Sequence, residues 1–205
     1  MSTQPKNYLT PEQYLEIERK AEYKSEYYQG EMFAMSGASL AHNRIVTAAI
    51  TDLGQQLRRG PCEVLGSDMR VAVTASDLYT YPDIVVVCGG PQLLNGQLDT
   101  LLNPTLIVEV LSPSTEAYDR GRKFGHYRTI ESLKEYLMVS SELIGAELFR
   151  RQADGRWTLM TEAKRPEDTI ELESVGGLLK LADLYEKVEF GERRPGSRLL
   201  PGSSD

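Results

Sequence analysis

The chain has 205 residues, of which 40% are hydrophobic and 26% are charged, and its formal net charge is −7. This length and composition predict one globular domain with a sizeable core, and the acidic balance excludes a uniformly basic nucleic-acid-binding protein. No apolar run is long enough to span a bilayer, so we expect no membrane partner. The cysteine usage predicts a cytoplasmic protein. Cys62 and Cys88 have no paired spacing and lie in or beside apolar strands, and we expect both to be reduced core residues.

The first third of the chain predicts a helix, a hairpin and a longer helix. Residues 1–9 are polar and are expected to be flexible. Thr10-Pro11-Glu12-Gln13 combines an N-cap, a proline at the first helical position and a capping-box glutamine, which together begin a short helix. Gln29-Gly30 is typical of a tight hairpin turn. From His42 to Leu57 the apolar residues keep helical spacing, and Gly60-Pro61 ends the pattern.

Two apolar runs predict strands that are covered on both faces. Leu106–Leu111 shows no polar alternation and carries Glu109 in its middle, while Tyr81-Pro82-Asp83 opens the run Ile84–Cys88. A buried carboxylate costs several kcal/mol unless it is paired, protonated or bound to a metal. Because Mg²⁺ takes one or two carboxylates and keeps several waters, Asp83 and Glu109 are candidate ligands for such an ion.

The remaining chain predicts a crossover helix followed by more strands. Ser112–Thr115 is expected to form a loop, with a helix continuing to about Ile130. Further strands are predicted at 135–139, 146–151, 157–160 and 169–173, with a hairpin turn at Asp154-Gly155. This order predicts an α/β fold, a mixed sheet flanked by helices, in a single domain over residues 10–190. Residues 191–205 are expected to be a disordered tail.

The crossover helix brings a candidate lysine toward Glu109. Asp119, Lys123 and Tyr127 recur every four residues and therefore share one helix face. Glu109 lies about 7 Å back along its strand at ~3.3 Å per residue, and Lys123 lies about 10 Å into the helix at ~1.5 Å per residue. Since the helix packs back on the strand, the lysine stem can cover the remaining gap and place its ammonium beside a metal-bound water.

These spaced residues resemble the Uma family of putative restriction endonucleases, a branch of the PD-(D/E)XK nuclease superfamily. The resemblance rests on Tyr81-Pro82-Asp83, Glu109 to Ser114, and the trio Asp119, Lys123 and Tyr127, and it covers roughly residues 10–190. Gly30-Glu31, His42 and the 135–139 strand also match positions typical of that branch. The resemblance implies a restriction-endonuclease-like mixed sheet flanked by helices, with an N-terminal helix and β-hairpin.

The resemblance also implies a division of roles in a metal-dependent DNA endonuclease. Asp83 and Glu109 would bind Mg²⁺ or Mn²⁺, with the Val110 carbonyl as a further ligand, and Lys123 would position or deprotonate the attacking water. Glu31 and His42 would lie at the rim, and Asp119 and Tyr127 would support the site. The lysine that the superfamily pattern expects two residues after Glu109 is Leu111 here. A homodimer is implied, so that two sites can address two DNA strands.

Other interpretations stay open at this point. Asp83 can be a turn acid after Pro82, and Glu109 can be paired with an arginine of the crossover helix rather than with a metal. His42 can be a helix cap and Tyr127 a core residue. Three arginines of that helix can form a DNA-binding patch or only a solvated face; they are Arg120, Arg122 and Arg128. The corresponding alternatives are a nuclease-fold DNA-binding or interaction module without turnover, and a structural domain.

Overall fold

The computed structural model of the chain describes residues 8–190. The expected disordered tail, 191–205, and most of the expected flexible N-terminus, 1–7, lie outside the described residues. Tyr8 and Leu9 are described, and the Leu9 N–H donates a hydrogen bond to the Gly30 carbonyl. None of the helices between residues 8 and 190 is long and apolar enough to cross a membrane.

The described chain is a mixed α/β structure, as the sequence predicts. Its helices are α1 (Pro11–Glu18), α2 (Leu40–Leu57), α3 (Glu116–Tyr118), α4 (Phe124–Tyr127) and α5 (Leu181–Leu184), with a π-helical turn at Asp119–Lys123 and 3₁₀ turns at Thr74–Ser76 and Leu94–Gly96. Its first strands are β1 (Ser25–Tyr28), β2 (Glu31–Ala34), β3 (Cys62–Gly66), β4 (Arg70–Val73), β5 (Leu78–Thr80), β6 (Ile84–Cys88) and β7 (Thr100–Leu101). The later strands are β8 (Leu106–Leu111), β9 (Glu135–Ser140), β10 (Ala146–Arg151), β11 (Trp157–Ala163), β12 (Thr169–Leu172) and β13 (Gly177–Lys180).

The central element is a six-stranded mixed sheet in the order β11-β10-β9-β8-β6-β3. Strands β8 and β9 are parallel and are joined by the helical crossover α3–α4, while their outer neighbours are antiparallel. Helix α2 packs on one face through Ile45, Ala49 and Leu53. Phe124 and Tyr127 of the crossover pack on the other face. The two buried runs predicted from the sequence are therefore adjacent strands at the centre of the fold.

A second sheet of five strands, in the order β2-β1-β5-β4-β7, covers part of the crossover face. The sequence suggests one continuous strand-like stretch from Cys62 to Val73. The structure divides it, because a turn after Gly66 sends β3 to the central sheet and β4 to the second sheet. The strand predicted at 169–173 forms, as β12, but it lies outside the central sheet and pairs with β13 in a sheet of two strands.

The N-terminal signals form the predicted structure. Thr10 caps α1, accepting a hydrogen bond from the Gln13 N–H, while the Gln13 side chain accepts one from the Thr10 N–H. Gln29 and Gly30 have φ values of 47° and 93° and connect β1 to β2. Positive φ at both central residues matches the right-handed twist of paired strands, which explains the glycine at the second position. The turn thereby fixes the register of β1 against β2, and with it which side chains of the hairpin face the crossover.

The expectation that Cys62 and Cys88 are reduced is wrong in this structure. The two residues are directly opposite on the antiparallel strands β3 and β6, and they form a disulfide with a Cα–Cα distance of 4.0 Å. The sequence separation of 26 residues gives no hint of this pairing, because it depends on strand register. The bond ties the edge strand β3 to the strand that begins immediately after Asp83.

Candidate active site

Strand register brings Asp83 and Glu109 to the same face of the central sheet. Ile84 pairs with Val108 and Val85 with Ile107, so the next position of this antiparallel ladder sets Asp83 opposite Glu109. Side chains alternate along a strand, and both acids therefore project toward the crossover helix rather than toward α2. Two acids separated by 26 residues in the chain become direct neighbours.

Hydrogen bonds link the two acidic residues in both directions. The Asp83 backbone N–H donates to Glu109 Oε2 at 3.3 Å, and the Val110 N–H donates to Asp83 Oδ2 at 2.8 Å. His42 Nε2 lies 3.1 Å from the same Asp83 oxygen. Strand β6 begins only at Ile84, so Asp83 stands at the strand entrance, where its side chain is 19% exposed. The Asp83 side chain is thus held by a backbone N–H of β8 and by a residue of α2.

Lys123 projects from the crossover helix onto Glu109. Its Nζ lies 2.9 Å from Glu109 Oε1, and the Tyr127 hydroxyl donates to the same oxygen at 2.8 Å. The turn that carries Lys123 is π-helical, a widened helical turn that often occurs at functional sites. None of the three arginines considered as a partner of Glu109 fills that role; the cation beside it is Lys123.

Glu26 is a member of the site that the sequence analysis does not identify. It lies on β1, where its Oε1 is 3.2 Å from Lys123 Nζ and accepts a short hydrogen bond from the Thr80 hydroxyl. Asp119 completes the group, with Oδ1 3.6 Å from the same ammonium. The only signal in the sequence is an acid within the aromatic strand Ser25–Tyr28. Its contact with a residue 97 positions away depends on how the second sheet packs.

Burial and charge are unbalanced in this cluster. Glu109, Asp119 and Lys123 are only 3%, 4% and 6% exposed. Three carboxylates, those of Glu26, Glu109 and Asp119, lie within 3.6 Å of the one ammonium, and Asp83 adjoins Glu109. Burial raises the pKa of Glu109 to about 8, although Lys123 opposes the shift, and burial also raises the pKa of Asp119. Burial disfavours the charge of Lys123, but Glu109, Glu26 and Asp119 outweigh it and raise the lysine pKa well above its usual range. Carboxylates therefore outnumber the one ammonium in this cluster, and an added cation would stabilise it.

The raised pKa of Glu109 makes stability depend on pH in a defined direction. The folded metal-free protein binds this proton more tightly than the unfolded chain, whose glutamate titrates near 4.5. Its contribution to the free energy of unfolding therefore falls as pH rises from about 4.5 to about 8. We expect urea unfolding in chelator to show a loss on the order of 1–2 kcal/mol between pH 6 and 8.

Glu109→Gln should remove most of that dependence, because the amide does not titrate. Asp68→Asn is the matched control, since the Asp68 side chain is 98% exposed and the substitution should leave the pH dependence of the wild type intact. Equal slopes for the wild type and Glu109→Gln would contradict the assignment of the buried proton to this residue.

An open cleft of about 430 Å³ leads to the cluster. One wall is formed by the end of β2 (Phe33 and Ala34) and the loop 35–39, and the other by the loop and helix start 112–118. Asp83, Glu109, Lys123, His42 and Glu26 all line it. A larger cleft of about 550 Å³ between α2 and α5 contains none of the predicted site residues.

Several predicted site residues lie elsewhere. Glu31 begins β2 beside the hairpin turn and does not line the cleft, so the hairpin carboxylate at the site is that of Glu26. Arg120 is bound to Glu116 and Glu147, each at 2.7 Å. Arg122 and Arg128 are exposed on the crossover and are also absent from the cleft lining. His42 is not the cap of α2, because that position is held by Ser39.

Comparisons with known proteins agree with this fold. Residues 11–182 match the model of the Uma2 family, described as "putative restriction endonuclease". Two uncharacterised proteins of Synechocystis are similar: slr1290 is 37% identical over 182 residues (89% of this chain, 94% of the relative), and sll1609 is 38% identical over 154 residues (75% and 86%). A crystal structure titled as a putative nuclease of the DUF820 family from Anabaena variabilis superposes with a TM-score of 0.69 at 18% identity, covering 87% of this chain and 98% of that one. The chain therefore belongs to the Uma2 family of putative restriction endonucleases.

Proposed function

We propose that the protein is a metal-dependent endonuclease that hydrolyses phosphodiester bonds in DNA. The observation that carries this proposal is the contact of the Lys123 ammonium with Glu109, 2.9 Å away, beside Asp83 at the base of an open cleft. Two neighbouring acids can hold a divalent ion that activates a water, and a lysine beside them can stabilise negative charge on the phosphate. The family description supports nuclease chemistry in general terms.

The donor chemistry of the cleft fits a hard divalent cation. Within residues 8–190 no group of three or more His, Cys, Asp or Glu side chains is arranged to hold a metal, which argues against a site of the zinc type. Mg²⁺ or Mn²⁺ needs fewer side-chain ligands, since waters and carbonyl oxygens complete its shell. Asp83, Glu109 and the Val110 carbonyl would hold it, and the surplus of carboxylates over cations supplies the attraction. A bound ion would lower the pKa of a water and stabilise charge on the scissile phosphate.

The residues around the two acids then have separate tasks. Three carboxylates keep Lys123 charged, so it acts by donating hydrogen bonds to the attacking water or to the phosphate, not by removing a proton. Tyr127 holds Glu109 through its hydroxyl, and His42 holds Asp83. Glu26 and Asp119 position the ammonium. The chain therefore presents a fixed set of donors and acceptors around the position of the phosphate.

The proposal is tested by nicking of supercoiled plasmid DNA. We expect open-circular and then linear product in Mg²⁺ or Mn²⁺, and none in chelator, because the divalent ion supplies the positive charge that the scissile phosphate needs. Binding of the ion should also raise the melting temperature. At a free ion concentration 100 times the dissociation constant, the free energy of unfolding should increase by about 2.7 kcal/mol. Complete inertness with both ions on supercoiled, relaxed and single-stranded DNA would contradict the enzymatic proposal.

A nuclease-fold module that binds DNA without turnover is the second candidate. The observation that favours it is that the Lys123 ammonium already contacts three carboxylates, which satisfies Glu109 without a metal. Leu111 at the expected lysine position points the same way. Retention of DNA with no cleavage, unchanged by Lys123→Ala, would select this candidate.

The assembly and location expected from the sequence remain proposals. A homodimer would present two sites that can address two DNA strands, including the two separated strands of a locally melted segment. Light scattering of the full chain tests it through the molar mass in solution. A cytoplasmic location is tested by fractionation of cells that produce the protein.

A further inference from the structure

The cleft lacks the side chains that normally hold a DNA duplex. Among the described residues that line it, Lys123 is the only lysine or arginine, and it is buried among carboxylates. Proteins that bind duplex DNA neutralise several phosphates with lysine and arginine, and this electrostatic contribution dominates their affinity. The approach to this site is acidic instead. On the proposed function, positive charge at the cleft would come from the bound divalent ion and Lys123, at the scissile phosphate, and the rest of the contact with DNA would come from uncharged groups.

Phe33 and Met35 form an exposed apolar lip on the cleft. Phe33 is 49% exposed and Met35 is 36% exposed, and both line the cleft. Phe33 is directly opposite Glu26 across the hairpin, so the two side chains share one face, with Cβ atoms about 5 Å apart. Since Glu26 contacts Lys123, the phenyl ring stands next to the carboxylate cluster. Strand β2 is an edge strand of the second sheet, and its outer side is open.

The opposite wall offers uncharged hydrogen-bonding groups. Ser112, Ser114 and Thr115 are linked through their hydroxyls at 3.0–3.1 Å and line the cleft. Hydroxyl groups can form hydrogen bonds with sugar and phosphate oxygens, although they carry no positive charge. An aromatic ring on one wall and hydroxyls on the other match the two sides of a single nucleotide, the base and the sugar-phosphate.

We infer that the cleft takes unpaired nucleotides, with a base stacked on Phe33, and that single-stranded or locally melted DNA is the substrate class. This inference rests on the proposed nuclease function. The volume of about 430 Å³ is in the range of pockets that hold one small ligand, which suits a single nucleotide. Stacking on an aromatic ring is tolerant of sequence because every base has a π-face. Cleavage at this site then follows the structure of the DNA rather than a base sequence.

The test measures binding separately from cleavage. Fluorescence anisotropy of the full chain in Ca²⁺ compares a short labelled single strand, the matching duplex, and a duplex with a central mismatch bubble. We expect the single strand and the bubble to bind at least about tenfold more tightly than the duplex. Because few phosphates are neutralised, the salt dependence should correspond to no more than about two of them.

Variants at the lip identify the contact. Phe33→Ala should weaken single-strand binding about 5- to 100-fold, and Phe33→Tyr should retain it, whereas Phe33→Leu, which keeps bulk without an aromatic face, should not. Leu159→Ala is the control, because Leu159 is 44% exposed on β11, the edge strand at the far end of the central sheet. Melting temperatures of all four variants show whether folding is intact.

The outcomes separate this inference from the nuclease proposal. Tight duplex binding, no binding to any DNA form, or single-strand affinity unaffected by Phe33→Ala would overturn the inference, even if plasmid is nicked. A single-strand preference lost in Phe33→Ala would support it, even if no DNA is cleaved and the enzymatic proposal fails.

Discussion

Asp83→Asn and Glu109→Gln are each expected to reduce the rate of plasmid nicking by about 10²- to 10³-fold or more. Each substitution preserves the shape of the side chain but removes the negative charge that would hold the divalent ion. In Asp83→Asn, the side-chain amide must also replace the Oδ2 atom that the Val110 N–H and His42 contact. The measurement is the initial rate in Mg²⁺ and in Mn²⁺, together with calorimetric titration of each ion.

Loss of ion binding must accompany loss of cleavage for this prediction to hold. Asp68→Asn, a fully exposed carboxylate outside the cleft, is the matched control and should nick at the wild-type rate. If both site variants nick as fast as Asp68→Asn, the activity belongs to another site or to another protein. If they bind the ion normally but do not cleave, Asp83 and Glu109 have a role other than metal binding.

Lys123→Met is expected to have the largest effect on stability, because it removes the cation from a buried carboxylate. Breaking a buried pair by deleting one partner costs about 3–5 kcal/mol of the free energy of unfolding. Glu109, Asp119 and Glu26 would then face one another without the ammonium. Cleavage should also be lost, since the donor to the water or phosphate is gone. Urea unfolding at pH 8 in chelator measures the first effect, and plasmid nicking the second.

A double-mutant cycle distinguishes an ion pair from simple packing. In Lys123→Met with Glu109→Gln, the remaining uncompensated charge is smaller, and we expect the double variant to be more stable than Lys123→Met alone. Removing Lys123 also removes the charge that opposes the shift, so the pKa of Glu109 rises further. Lowering the pH from 8 to 6 should therefore stabilise Lys123→Met at least as much as the wild type, because the folded variant keeps a proton that the unfolded chain lacks. Additive losses in the double variant and no rescue at pH 6 would mean that Lys123 contributes only packing.

The parts of the site that are local in sequence could be predicted. Strand β8 has the predicted limits, Leu106 to Leu111, because a run of large apolar residues is sufficient evidence for a strand covered on both faces. The crossover helix begins at Glu116, directly after the predicted loop, and Lys123 lies beside Glu109 as expected. The π-helical turn at Asp119–Lys123 is not predicted from the sequence, but it does not move the lysine away from the strand. Short, regular geometry connects these residues.

The parts that depend on distant pairing could not be predicted. Glu26 reaches Lys123 only because the second sheet packs against the crossover, and nothing local to β1 indicates that packing. The disulfide needs the register of β3 on β6, which no spacing reveals. The sequence leaves open whether an arginine of the crossover pairs with Glu109 or binds DNA, because the partners of an exposed arginine lie on elements distant in the chain. Arg120 instead bonds Glu147 on β10.

The opposed position of Asp83 and Glu109 also penalises misfolding. If β8 shifted by one residue against its neighbours, Glu109 would turn toward the apolar side chains of Ile45 and Leu53 on α2. A valine would then lie beside the Lys123 ammonium. Valines and leucines flanking the acid would tolerate such a slip almost equally well on either side. The carboxylate of Glu109 therefore destabilises the shifted register, which the surrounding aliphatic residues alone would tolerate.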